Sequence, residues 1–276
     1  NVYCALNGTY TIGDISPQFK SFTQAATNLK FGGVLGNVIF NIQEGRYNEN
    51  VVIDSIPNQQ NFSINWQGAT ADSTKAVLAY TNKLNDAVFA VVQFNKAKNQ
   101  TIKNITIQGK IASSGVNSDV FKSLIIFSNK NKNITITGNR LIDSSYNVNS
   151  NNVGLKFITN RNDELSSNIA DVRSADSSIL IAGNNFKQVN TSALEMIGLA
   201  GSTTSGYSGT FTVVHNLNNL QIRNNSFDPL LLSKSAININ FADSVIIRGN
   251  NINGAVSVRG KDLMIVDKNN IYHEGL

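Results

Sequence analysis

A short phrase recurs along this chain: a polar residue, three or four positions rich in Ile, Val or Leu, then a Gly or Asn corner. It reads Asn104-Ile105-Thr106-Ile107-Gln108-Gly109, Asn133-Ile134-Thr135-Ile136-Thr137-Gly138-Asn139 and Ser178-Ile179-Leu180-Ile181-Ala182-Gly183-Asn184-Asn185. It continues as Asn219-Leu220-Gln221-Ile222-Arg223-Asn224-Asn225, Ser244-Val245-Ile246-Ile247-Arg248-Gly249-Asn250-Asn251 and Asp262-Leu263-Met264-Ile265-Val266-Asp267. The six starts are separated by 29, 45, 41, 25 and 18 residues. The phrase persists while its spacing varies, as in a solenoid whose coils carry insertions of unequal length. A second strand-like run precedes most copies, at 88–94, 123–127, 154–158, 193–197, 236–241 and 255–258. The pattern predicts coils of two short strands and a corner.

Alternation in Ile237-Asn238-Ile239-Asn240-Phe241 and Val256-Ser257-Val258-Arg259 sends one set of side chains inward and the other outward. Stacking such strands coil on coil gives an all-β parallel β-helix cored by ladders of Ile, Val, Leu and Phe. Asn occupies 42 of the 276 positions, and at corners it tolerates left-handed backbone or bonds neighbouring peptide groups. The competing architecture, an antiparallel sandwich or propeller, needs hairpin dipeptides that are sparse here.

The N-terminal part reads differently. Ser16-Pro17 resembles a helix cap with Pro in the first turn, followed by Phe19, Phe22, Ala26 and Leu29 at helical spacing and by Gly32-Gly33 as a stop. Strands are expected at Val38-Ile39-Phe40-Asn41-Ile42 and Val51-Val52-Ile53, joined by Glu44-Gly45-Arg46-Tyr47. The expectation is a single domain over 1–276, with a capping helix region at 16–31 and loop insertions at 159–177 and 198–209. A helix ahead of the first coil would cover its open apolar end. No matching cap follows at the other end, so the polypeptide is expected to continue past Leu276, or another molecule to cover that end.

Charge and residue chemistry narrow the function. The net charge is +5, but the 23 Lys and Arg are scattered rather than blocked, which argues against nucleic acid. No apolar run approaches the roughly 18 residues of a membrane span, so no membrane insertion is expected. One Cys and two His offer no zinc cluster, and neither metal nor cofactor is expected.

The opening Gly8-Thr9-Tyr10-Thr11-Ile12-Gly13, with Phe22-Thr23-Gln24-Ala25, Gly33-Val34-Leu35-Gly36 and Gly45-Arg46-Tyr47-Asn48-Glu49, resembles right-handed β-helix modules of large secreted Bacteroidota surface proteins. Many of these are type IX exported and adhesin-like. Gln67-Gly68-Ala69-Thr70 and Ala76-Val77-Leu78 continue the likeness, which is close over about the first 110 residues. It implies a right-handed parallel β-helix solenoid with a short N-terminal capping helix, located outside the cell. Gly45-x-Tyr47-x-Glu49-x-Val51 is also similar to the opening of pectin methylesterases and other pectin-active β-helix enzymes. The chain departs from those families thereafter. It lacks the Val-Asp-Phe and Gly-Arg-Pro-Trp segments of pectinesterases, the Asn-x-Asp, Asp-Asp and His-Gly of polygalacturonases, and the acidic calcium ligands of pectate lyases; its sole Trp is Trp66.

Glycoside hydrolysis needs two carboxylates roughly 5 to 10 Å apart, and few pairs qualify. Glu195 is the best lone acid, with Lys156 as its expected neighbour one coil earlier; a solvated ion pair is the simpler reading. Asp243 is expected at a corner and Asp163-Glu164 in a surface loop. Lys156, Glu195, Asn238, Asn240 and Arg259 are expected on one outward face, where amide, cation and anion suit sugar hydroxyls and carboxylates. His215 and His273 show no catalytic pattern, and Tyr207 sits in a Gly/Ser/Thr-rich excursion. Cys4 is expected to be unmodified or to pair with a cysteine outside this segment. The surface-protein resemblance implies O-glycosylation at Ser55, Ser73 and Ser244.

The sequence therefore predicts a non-catalytic extracellular module of a longer bacterial surface protein, a rigid spacer or adhesive segment whose partner is a cell-surface polysaccharide or glycan. The alternative is a polysaccharide-active lyase, hydrolase or esterase on the same scaffold.

Overall fold

A computed structural model of the chain describes residues 2–82, 88, 90–111, 123–128, 130–144, 153–158, 176–187, 192–197, 217–228 and 235–272. Every strand pairing is parallel, and the strands sort into three columns that wind round one axis. Face A stacks Val51–Ile53, Ala90–Asn95, Ser123–Ser128, Val153–Ile158, Ser192–Ile197 and the first halves of Ser235–Arg248 and Ala255–Asp267. Face B stacks Leu6–Ile12, Val34–Ile42, Ile64–Gly68, Lys98–Lys103, Lys132–Thr137, Ser177–Ala182 and Asn218–Arg223 with the second halves of those two long strands. Face C stacks Gly45–Asn48, Ala76–Asn82, Thr106–Ile111, Arg140–Asp143, Asn185–Lys187, Ser226–Asp228, Asn251–Asn253 and Asn270–Tyr272. The molecule is a parallel β-helix, and the antiparallel alternative is excluded.

Two sequence expectations are corrected here. Each coil has three strands rather than two, because face C strands are often only three or four residues long. The segment Glu44-Gly45-Arg46-Tyr47 is therefore no simple connector; Gly45–Asn48 opens face C. The first phrase is also out of phase with the other five. Thr106 and Ile107 pair with Arg140 and Leu141 on face C, while the face B counterpart of Ile136 is Ile102.

The core is built from inward positions of all three faces. Phe94 and Phe127 stack at 5.2 Å on face A, and Phe186 and Phe227 at 4.7 Å on face C. Gln100 lies fully buried among these apolar rows, and the Trp66 indole N–H donates to its Oε1 at 2.9 Å. Its amide nitrogen donates to the Lys98 carbonyl, so both ends of the buried amide are satisfied.

From the strand Lys98–Lys103 onward the corner from B to C takes two residues, whereas seven separate Gly68 from Ala76. The first has a left-handed backbone, supplied by Asn104, Gly138, Gly183, Asn224, Gly249 and Lys268 with φ of 52–69°. Five of these corners then place an asparagine inside: Asn139, Asn184, Asn225, Asn250 and Asn269. Each of the first four donates its backbone N–H and one Nδ2 hydrogen to the Oδ1 of the next, at 2.9–3.1 Å. The other Nδ2 hydrogen goes to the carbonyl of Ile102, Ile136, Ile181, Ile222 or Ile247. Polar groups buried at every corner are thereby paired along the axis. The connections from A to B obey no such rule: two residues separate Asn95 from Lys98, whereas 18 separate Ile158 from Ser177.

At the N-terminal end a helix covers the first coils. It spans Phe22–Gly32, with Phe22, Ala25, Ala26 and Leu29 buried. Its cap is Ser21, whose hydroxyl accepts from Gln24 N at 3.0 Å. The expected Ser16-Pro17 start fails because Phe19 is held in a β-bridge to Ile12, so the chain is still extended there. At the far end Ile271 extends the inward row of face C yet is 50% exposed. The insertion 198–209 lies outside the described residues, as does 159–175. Asp176 and Ser177 do not belong to a loop; they form a corner and the start of a face B strand.

Candidate functional site

On face A, outward positions fall into rows because the strands stack in register. One row runs Val52, Gln93, Ile126, Lys156, Glu195, Asn238 and Ser257. The next runs Asn95, Ser128, Ile158, and, two coils further, Asn240 and Arg259, with Ile197 pairing Asn240. All five expected binding residues thus occupy two adjacent rows. Neighbours in a row stand about 4.8 Å apart. Asn238 is half-buried between the fully buried Ile237 and Ile239. For Lys156, Glu195, Asn240 and Arg259 the description is of backbone pairing, and their side chains lie outside it. The rows are not polar throughout. Leu124 and Ile126 are each only 2% exposed, so this strand is buried on both faces.

Two conspicuous acids in this region are structural. Asp54 accepts from Lys30 Nζ at 2.8 Å and from Asn95 Nδ2 at 3.0 Å, tying the helix to face A. Asp176 takes the A-to-B corner position that Asn131 holds one coil earlier. Its Oδ1 accepts from Asn131 N at 2.6 Å and Nδ2 at 2.9 Å. Although the residue keeps some surface, burial of its carboxylate pushes the pKa up to about 6, against those two hydrogen bonds, which lower it. Asp243 sits at the same corner a little further on, where its N–H donates to the Leu217 carbonyl.

The Gly45-x-Tyr47-x-Glu49 motif also has a structural role. Glu49 clamps the helix N-terminus, accepting from Phe22 N and Thr23 N, both at 2.9 Å. A carboxylate placed there meets unpaired N–H groups and the positive end of the helix dipole. The Tyr47 ring packs edge-on against Phe22 at 5.3 Å, and its hydroxyl donates to the Ile12 and Gln43 carbonyls. Burial, then the charges of Asp14 and Glu49, raise the Tyr47 pKa to about 12.

The remaining expected sites are dispersed. Ser55 is exposed, whereas Ser73 and Ser244 are half-buried, Ser244 within a strand. Cys4 is an exposed thiol whose carbonyl accepts from Asn28 Nδ2. Asp163, Glu164, Tyr207, His215 and His273 lie outside the described residues. Among the described residues no three of His, Cys, Asp and Glu come together as metal ligands. No described helix is long and apolar enough to cross a membrane.

The sequence reading missed a cluster on face C, where Arg46, Arg140 and Lys187 line one groove of about 540 Å³. Strands of three or four residues carry no readable alternation, so only basic residues following the B-to-C corner, as Arg140 follows Gly138-Asn139, could have signalled it.

No protein-family profile matches the chain, and no curated protein matches it significantly. Among solved structures it is similar to the pectin methylesterase of Aspergillus niger in deglycosylated form. The TM-score is 0.50 at 13% identity, covering 94% of this chain and 82% of that one. A pectin methylesterase from Erwinia chrysanthemi aligns with a TM-score of 0.43 at 13% identity, covering 94% and 81%. The likeness to the Aspergillus niger protein is one of fold, and it extends far beyond the opening motif on which the sequence resemblance rests.

Proposed function

We propose that this chain is a polysaccharide-contacting β-helix module working outside the cell, as part of a longer bacterial surface protein, and that its ligand lies along the two outward rows of face A. The observation that carries this reading is the register. It brings Lys156, Glu195 and Asn238 into one row and Asn240 and Arg259 into the next, although they are spread over more than 100 residues of sequence. An extended sugar chain advances by about the spacing between strands, so successive coils can offer a cation, a carboxylate and an amide to successive sugars. Retention on immobilised polysaccharides tests it. The native chain should be retained by at least one acidic polysaccharide, and the Asn238→Ala/Arg259→Ala double variant should elute early. Equal retention of the two would reject the face A site.

A second reading, polysaccharide ester hydrolysis, is favoured by the fold likeness to a pectin methylesterase. A single carboxylate between a lysine and an amide suits ester cleavage, with Glu195 as nucleophile or base, better than glycoside hydrolysis, which needs two carboxylates. Alcohol release from an esterified polysaccharide, lost in Glu195→Gln, would establish it. Absence of turnover with retained binding favours the non-catalytic module.

A further inference from the structure

Face C carries its own two outward rows. The first runs Arg46, Val77, Thr106, Arg140 and Asn185; the second runs Asn48, Ala79, Gln108, Ile142, Lys187 and Asp228. Val77 and Ala79 are short, while Ala79, Thr106 and Ile142 are buried, so they form the floor of a trough and the longer polar side chains form its walls.

The Arg46 side chain runs along the axis rather than out into solvent. Its Nη1 donates to Gln108 Oε1 at 2.8 Å, two coils on, and its Nε donates to Asn48 Oδ1 at 3.1 Å. Gln108 is itself oriented, donating through Nε2 to Ser144 Oγ at 2.5 Å. The guanidinium is therefore held over the coil of Gln108, with three of its five N–H donors unused. Arg140 follows on the next coil and Lys187 on the one after. Three cations thus stand on consecutive coils, at intervals of about 4.8 Å along the axis.

Three cations elsewhere are matched by acids: Lys30 by Asp54, Lys75 by Glu44 and Arg248 by Asp267. In the trough none of the three forms an ion pair among the described residues, and the one lining carboxylate, Asp228, stands beyond Lys187 at one end. A row of like charges without counter-ions is the complement of a linear polyanion.

We propose that this trough is a second binding site, for a linear anionic polysaccharide lying parallel to the helix axis. Its acidic groups are received by Arg46, Arg140 and Lys187 and its hydroxyls by Gln108 and Ser144. The oriented guanidinium favours an oxyanion that can accept two N–H bonds, as a carboxylate or sulfate does. Hydroxyl and amide walls with no aromatic ring among the lining residues suit sugars rather than nucleobases, which need stacking surfaces. The proposal is independent of the face A reading.

The test uses the whole chain with alginate, dextran sulfate, neutral dextran and a single-stranded oligonucleotide, measured by affinity electrophoresis and titration at 50 and 300 mM salt. Binding to alginate or dextran sulfate but not dextran is expected, weakening at least tenfold at the higher salt. The preferred polyanion tells carboxylate from sulfate, either of which supports the site. Arg46→Met, Arg140→Met and Lys187→Met preserve the aliphatic stems. Each should weaken binding several-fold and the triple variant should weaken it at least tenfold, with an unchanged circular dichroism spectrum. Lys20→Met, which removes an exposed cation away from both faces, should bind the polyanion like the native chain. Failure to bind either anionic polysaccharide, tighter binding of the oligonucleotide, or a folded triple variant with native affinity would overturn the proposal.

Discussion

Replacing Asp176 with asparagine should stabilise the protein at neutral pH and remove a pH dependence that the native chain carries. The carboxylate stands in a corner of amides, where its Oδ1 accepts two hydrogen bonds from Asn131. Burial nonetheless raises its pKa from 3.8 to about 6. An acid whose pKa is higher in the folded state favours folding only while protonated. Its contribution is whole below pH 3.8 and is lost as the pH rises towards 6, because the unfolded chain releases its proton first. A gap of about 2 units corresponds to about 3 kcal/mol. Asparagine has the same shape, keeps the accepting oxygen and carries no charge to bury. In paired urea denaturations at about pH 4 and 7.5, the variant-minus-native difference should move in the variant's favour by about 2 to 3 kcal/mol. Comparing both chains at each pH cancels the other ionisable groups. A difference that stays constant between the two pH values, or a variant weaker than native at pH 7.5, would refute the reasoning.

Two further substitutions probe the scaffold. Asn184→Ala removes the acceptor of Asn139 N and Nδ2 and the donors to Ile136 O and Asn225 Oδ1. Asn225 Oδ1 keeps its bond from the residue 184 backbone N–H, but the buried Asn139 N–H loses its acceptor, which should cost about 2 to 4 kcal/mol, read as a lower urea midpoint and faster amide exchange at Asn139. Glu49→Gln keeps an accepting oxygen but loses the charge at the helix N-terminus, and should cost about 0.5 to 2 kcal/mol. Because Phe22 stacks against Trp66 at 6.1 Å, loosening of the helix should appear as a change in Trp66 fluorescence before the coils unfold.

The winding of the chain was legible wherever strands are long enough to alternate. Ile237-Asn238-Ile239 announces its inward and outward sides, and the buried isoleucines confirm it. Face C was not legible, because Asn185–Lys187 or Ser226–Asp228 offers one inward residue flanked by two outward ones, too little to show a period. Asn104-Ile105-Thr106-Ile107 misled for a related reason. It copies the wording of Asn133-Ile134-Thr135-Ile136, but Ile105 takes the corner place that asparagine holds in later coils, so corner and strand look alike. The face A rows followed from alternation plus the assumption of in-register stacking. The trough on face C did not, because it depends on how Arg46 lies along the axis and on the short side chains of Val77 and Ala79.

The two-residue corner between faces B and C, repeated in every coil from Lys103 onward, bears on how such a chain can find its shape. Each such corner joins strands adjacent in sequence, so it can nucleate from local interactions, whereas the long excursions elsewhere must close loops whose entropic penalty grows only with the logarithm of their length. Coils of very different size can therefore be threaded onto the same corner unit, and insertions or deletions should be absorbed between faces A and B without disturbing the axial pitch.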